Sequence, residues 1–263
     1  VCLLTFIPAS VAPDPAALRH GALANPHGHG FAVIAGPTIV TGHGMNAEEV
    51  IDLFARVRAQ HPQGPALFHS RYATHGIRTV DNCHPFRLGG DKRTVLAHNG
   101  VLPKRVHPGP YDWRSDTRIA AEDYLPRQPF GSIDTHKGFR GLESWLGSSK
   151  LLILTIDPAF DQQVYLLNES KGLWDNGIWY SNRSYLPWSQ RYVTRRRSVC
   201  RSCETVDEYR VGRYCTTCGW CFACGNRFPH CECRRPRPRG PQHRASKWPL
   251  ALPAAKPPRA PSP

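Results

Sequence analysis

The chain has 263 residues and a formal net charge of +14, enough for one sizeable domain and a smaller appendage. Residues 1–190 hold 18 Lys and Arg against 16 Asp and Glu, whereas residues 191–263 hold 16 against 4, so only the last quarter invites a polyanionic partner such as nucleic acid. No apolar run reaches the roughly 18 residues of a membrane helix, and the apolar stretch 2–12 lacks a basic start and is interrupted by Pro8, which argues against a secretory signal and against a membrane partner.

The first predicted element is a strand at residues 2–6, followed by a loop rich in Pro, Ala and His that runs to about Gly30. Residues 31–35 and 38–41 read as short strands on either side of Gly36-Pro37. Asn46 and Glu49 have the spacing of a capping box, and Val50, Leu53, Phe54 and Val57 follow at i, i+3, i+4 and i+7. An amphipathic helix therefore runs to near Gln60, stopped by Pro62 and Gly64, and its apolar positions are core. Residues 66–73 and 94–98 are strand-like, and each runs into small or polar residues that suit a site. Ser115 or Asp116 caps a helix through Ala121 that Pro126 ends. Residues 151–157, 163–167 and 177–181 are late strands, the last two read as a meander. Strands in runs on either side of helices predict an α+β fold of layered, mainly antiparallel sheets.

The ten cysteines divide as the charge does, with eight between Cys200 and Cys233 and only Cys2 and Cys83 in the larger part. Close C-x-x-C pairs suit thiolate metal ligation, which implies a reducing, cytoplasmic compartment. Cys200, Cys203, Cys215 and Cys218 have the spacing of a zinc ribbon. Cys221, Cys224, Cys231 and Cys233 can complete a second site, with His230 as a substitute ligand, so one or two structural zinc ions are expected. Residues 198–233 form a cysteine-rich module with too little core to fold without metal. Trp220, Phe222 and Phe228 are expected to pack around the ions. From residue 234 to 263 Pro, Arg and Ala dominate without periodicity, which predicts a disordered basic tail.

Cys2 becomes an N-terminal residue once residue 1 is trimmed, and then carries both a thiol and an α-amine. That amine, with a reference pKa of roughly 7.7–8.0, is unprotonated often enough to take the thiol proton, so one residue supplies nucleophile and base. Four further segments bear on this: His69-Ser70-Arg71-Tyr72-Ala73-Thr74-His75-Gly76, Asn82-Cys83-His84-Pro85-Phe86, His98-Asn99-Gly100 and Ser115-Asp116-Thr117. Arg71 can hold an amino acid's α-carboxylate in bidentate fashion and Asp116 its ammonium. Asn99 offers a side-chain amide, and Gly100 a backbone N–H without a Cβ in the way, to an oxyanion formed on attack by sulfur.

Taken in order, Cys2 and these segments resemble the glutaminase domain of class II glutamine amidotransferases, members of the N-terminal-nucleophile hydrolases, over roughly residues 2–185. The resemblance implies an αββα sandwich of antiparallel sheets over residues 2–190, with Cys2 as nucleophile and Asn99 and Gly100 as oxyanion hole. It implies Arg71 and Asp116 as the clamp for glutamine, with Thr74, His75 and His84 lining the pocket or bracing its loop. Three positions depart from the family: Val1 stands where Met is usual, Tyr72 where Trp is frequent, and Arg118 where an acidic residue is common. An alternative start codon, still decoded as methionine, would account for the first. The implied activity is release of ammonia from glutamine through a thioester on Cys2, for an acceptor synthase on a separate polypeptide, with no cofactor for the glutaminase step. Two other readings accompany it. One is an N-terminal-nucleophile amidohydrolase for a different amide. The other is an inactive amidotransferase-like protein acting as a zinc-dependent nucleic-acid-binding or interaction module.

Overall fold

The computed structural model describes residues 2–187 and, further on, residues 198–200, 202–204, 206–207, 215, 217–221, 224–227 and 230. The chain divides into two compact units, Val1–Thr194 and Arg195–Pro263.

The first unit is built from two antiparallel sheets. The larger has six strands in the order β3-β2-β4-β1-β10-β9, where β1 is Leu3–Ile7, β2 His29–Ala35, β3 Thr38–Gly44, β4 Ala66–Ser70, β9 Leu173–Asp175 and β10 Ile178–Tyr180. The smaller has four in the order β5-β6-β7-β8, comprising Phe86–Leu88, Asp91–Asn99, Lys150–Thr155 and Val164–Leu167. Three apolar clusters define four layers. Leu4, Phe6, Ala32, Ile34 and Leu67 of the larger sheet meet Val95, Ala97, Leu152 and Leu154 of the smaller. On the outer face of the larger sheet, Leu3, Ile7, Phe31 and Phe68 pack under α1 (Pro15–Ala24) and α2 (Ala47–Gln60), through Leu18, Val50, Ile51 and Phe54. On the outer face of the smaller, Leu96, Leu151, Ile153 and Leu167 pack under Ala120, Ala121, Leu142 and Leu146. The architecture is a four-layer αββα sandwich of antiparallel sheets, as expected from the sequence. It explains the largely apolar wording of β1, β4 and β7, because a strand covered on both faces has no solvent side to alternate with.

Several expectations need correcting. The loop expected up to Gly30 contains α1, whose start is marked by Asp14, accepting from the Ala17 N–H at 3.0 Å, and by Pro15 in the first turn. Helix α4 (His136–Leu146) was not expected either. Its Gly138 and Gly141 lower helix propensity, but a Cβ at Gly141 would press on Phe130 at 3.2 Å, so packing outweighs propensity there. The expected meander of residues 163–167 with 177–181 does not form. β8 pairs with β7 in the smaller sheet, whereas β10 pairs with β1 and β9 in the larger. Strand β4 stops at Ser70, opposite Leu3. The helix after Ser115 is short: α3 spans Asp116–Ile119 and widens into a π turn over Ala120–Tyr124.

In the second unit β11 (Ser198–Val199) pairs antiparallel with β12 (Val206–Asp207) and delivers Cys200 at its end. Cys231, Cys233, Phe222, Phe228 and the tail 234–263 lie outside the described residues.

Candidate active site

Strand register assembles the site. Cys2 immediately precedes β1 and Arg71 immediately follows β4. Because Leu3 is opposite Ser70 in this antiparallel pair, the next residue on each strand emerges at the same edge. The Tyr72 N–H points at the Cys2 Sγ from 3.2 Å, and the thiol lies 3.5 Å from the Tyr72 carbonyl oxygen. Burial pushes the Cys2 thiol above its ordinary range, and the Tyr72 N–H and the Arg71 charge pull the other way.

Asn99 closes β6, and its Nδ2 donates to the Cys2 carbonyl oxygen and, at 2.7 Å, to Ser181 Oγ. Its Oδ1 is buried without a partner. The amide expected at an oxyanion hole is therefore beside Cys2, but its donor is engaged with the backbone of Cys2 itself. Gly100 follows with φ +141°, and a Cβ there would lie 3.0 Å from the Ser149 Cα. Position 100 thus requires glycine on both backbone and steric grounds.

Arg71 is almost wholly enclosed. It donates to the carbonyls of His75 at 2.7 Å and Ile77 at 2.9 Å. Two of its five N–H donors thus tie down the loop after β4. Asp116, in the first turn of α3, accepts the Thr117 N–H on Oδ1 at 2.8 Å and the Leu102 N–H on Oδ2 at 3.0 Å. His75 Nδ1 lies 3.8 Å from Asp116 Oδ2. Arg118 turns to Glu122, at 2.7 Å, and does not engage Asp116. Thr74 is exposed on the Arg71-bound loop.

His84 sits in the interior. Its ring stacks on His69 with centroids 3.9 Å apart and touches Phe86, and neither ring nitrogen has a protein partner. Burial drives its pKa far down. The same cause holds His69 at about 3 and His29 and His98 at about 4, so this cluster is neutral.

Three supporting residues escaped the sequence reading. Ser181 and Asn182 follow β10: Asn182 Nδ2 donates to the Cys2 carbonyl at 2.7 Å, and the Leu4 N–H donates to Ser181 Oγ at 2.9 Å. Both are ordinary polar residues after a strand, and nothing in their spacing marks them. His27 accepts the Ala73 N–H on its ring Nδ1 at 3.0 Å while its backbone N–H donates to the Arg71 carbonyl at 2.9 Å. It therefore braces the segment that lies against Cys2.

In the second unit, the sulfurs of Cys200, Cys203, Cys215 and Cys218 converge within 4.8 Å of one another. Cys200 and Cys218 are 3.6 Å apart and Cys203 and Cys215 are 3.7 Å apart. A tetrahedron of Zn–S bonds of ~2.3 Å has S–S edges of about 3.8 Å, close to these two separations, and the four thiols could hold a metal ion. The Glu204 N–H closes on the Cys200 carbonyl at 2.7 Å and the Gly219 N–H on that of Cys215 at 2.9 Å. Those turns aim both sulfurs of each pair inward. Cys221 begins a similar turn, with the Gly225 N–H on its carbonyl at 2.9 Å.

No family model matches the chain. Among curated proteins it is 30% identical over 92 residues to the probable isomerizing glutamine--fructose-6-phosphate aminotransferase of Acanthamoeba polyphaga mimivirus, covering 35% of this chain and 14% of the relative. It is 26% identical over 144 residues to the corresponding enzyme of Methanosarcina mazei, covering 47% of this chain and 23% of that protein. The chain thus spans less than a quarter of the length of these relatives. A solved structure of glutamine phosphoribosylpyrophosphate amidotransferase from B. subtilis superposes with a TM-score of 0.39 at 17% identity, over 68% of this chain and 41% of that one.

Proposed function

We propose that this chain, whose first unit is of the class II glutamine amidotransferase type, hydrolyses glutamine with Cys2 as the N-terminal nucleophile and hands the ammonia to a synthase on another polypeptide. The observation that carries this is the convergence on Cys2 of the Arg71-Tyr72 segment from β4 and of Asn99 from β6. These are the groups a thiol attack on an amino acid's side-chain amide calls for, supplied from two different sheets.

In the proposed reaction residue 1 is removed, leaving Cys2 with a free α-amine. The amine takes the thiol proton, and the thiolate attacks the glutamine Cδ. The tetrahedral oxyanion forms beside Asn99 Nδ2 and the Gly100 N–H, which stabilise it if the asparagine releases the Cys2 carbonyl to Asn182, already bound there at 2.7 Å. Ammonia leaves with a proton from the α-ammonium, and water then cleaves the γ-glutamyl thioester to glutamate. Arg71 faces the α-carboxylate and Asp116 the α-ammonium, with Thr74 and His75 on the intervening loop. His84 supports that loop from within.

Zinc at Cys200, Cys203, Cys215 and Cys218 is proposed as the organiser of the second unit, with thiolates supplied by a reducing, cytoplasmic environment. The basic last quarter of the chain is proposed to dock the acceptor enzyme or a nucleic acid. The test is glutamate and ammonia release by the purified chain, together with the intact mass of its first unit. Activity lost in Cys2→Ala and a chain beginning at Cys2 support the proposal. Retention of residue 1 in an active enzyme defeats the mechanism.

A further inference from the structure

We infer that His75, His107 and Asp116 form a binding site for a divalent transition ion of the Zn²⁺, Co²⁺ and Ni²⁺ class. The three come from separate segments: the loop after β4, the residue after a 3-10 turn at Lys104–Val106, and the first turn of α3. One donor atom from each lies within 4.8 Å of the other two. The imidazole rings of His75 and His107 have centroids 4.2 Å apart. His75 Nδ1 is buried with no hydrogen-bond partner and faces the Asp116 carboxylate from 3.8 Å. An unpartnered, buried ring nitrogen beside a second imidazole and a carboxylate is a donor set suited to a cation.

What surrounds the three residues supports this. Metal-bound histidines characteristically donate their other ring N–H to a carbonyl, and ligating carboxylates accept from neighbouring donors. His107 Nε2 contacts the Leu102 carbonyl at 2.6 Å, and the Leu102 N–H donates to Asp116 Oδ2 at 3.0 Å. A single residue therefore orients two of the ligands. The Nε2–H tautomer that this imposes on His107 leaves Nδ1 with its lone pair. His75 is held by its own backbone, whose carbonyl accepts from Arg71 at 2.7 Å. Two imidazoles with one carboxylate favour Zn²⁺, Co²⁺ or Ni²⁺ over Mg²⁺ or Ca²⁺. Three protein ligands leave one tetrahedral position open to water or another small ligand.

The site stands independently of the glutamine reading, since it needs no reaction at Cys2. Where both hold, ion and glutamine compete for Asp116. The experiment is titration of Co²⁺ into the full-length chain with its cysteine sites already loaded with zinc, followed by visible absorption and calorimetry. One further equivalent should bind, with the weak d–d bands of nitrogen and oxygen ligation and without thiolate charge transfer. His107→Ala and His107→Gln, each matched to the parent by circular dichroism, should weaken that event at least tenfold, while the exposed His136→Ala leaves it in place. Cys2→Ala should abolish glutaminase activity yet keep the cobalt site, so the two readings fail separately. Absence of the additional equivalent, or its survival in both His107 variants, overturns the inference.

Discussion

The two units hold their chemistry together by opposite means. Around Cys2 the geometry comes from strand ends in a large core: Leu3 opposite Ser70 sets Cys2 beside Arg71, and β6 brings Asn99 from the other sheet. In the second unit the described strands are two residues long, and four thiols lie as far apart as the edges of a zinc tetrahedron. The first site is buried in a close-packed core; the second unit is proposed to be ordered by a metal ion on those thiols. The lesson is that the same residue type, cysteine, is read differently according to what positions it. Cys2 is set by a β-ladder and its thiol pKa is raised by burial, whereas Cys200 and its partners are gathered by turns into a set that could hold a metal.

The comparison breaks most sharply at the nucleophile. Cys2→Ala should reduce glutamine hydrolysis by more than about 10⁴-fold, as loss of a covalent nucleophile does elsewhere, while the zinc content stays at the parental value by elemental analysis. Asn99→Ala should lower kcat by about 10²–10³-fold, the usual cost of one oxyanion donor, with a much smaller change in KM in steady-state assays. Arg71→Lys should raise the KM for glutamine by roughly tenfold or more, since an ammonium cannot reproduce the planar fork that holds both the loop carbonyls and a carboxylate. That variant should also loosen residues 72–77, read as faster hydrogen exchange.

A pH series sharpens the contrast between the units. His29, His69 and His98 have folded-state pKa values near 4, 3 and 4 because burial disfavours their charged forms. Unfolded histidine takes up protons below about 6.5. The neutral cluster's stability is therefore whole above that pH and is withdrawn as pH falls from 6.5 toward 4, with a slope set by the excess protons bound by the unfolded chain. Thermal melting of the first unit should show this steep acid loss. The smallest expected effect is the converse: Cys200→Ala should lower the zinc content but shift the melting of the first unit by no more than about 2 °C, since Cys200 belongs to the other compact unit and independent sites usually add.

Much of this arrangement is readable from residues that must be what they are. Gly100 has a backbone that suits glycine alone, Asn46 caps α2 with Glu48 and Glu49 behind it, and Cys200, Cys203, Cys215 and Cys218 repeat a ligand spacing. Other parts are hidden for physical reasons. Ser181, Asn182 and His27 act through hydrogen bonds between segments far apart in sequence, which no local pattern encodes. His107 has no motif around it and gains meaning only when the 3-10 turn lays it on His75. Helix α4 has glycines where propensity expects none, and β8 and β10 carry similar apolar wording yet belong to different sheets. Pairing is decided by the whole sandwich and not by the strand's own composition.

Cys2 is proposed as a nucleophile facing a pocket for a free amino acid, and incubating the purified chain with a glutamine-like diazoketone, then mapping the adduct by peptide mass spectrometry, probes that role. A single adduct is expected on Cys2, prevented by excess glutamine and absent from Cys83, whose buried thiol is pushed up to about 11. An unmodified Cys2, or labelling of Cys2 that glutamine does not slow, would contradict it.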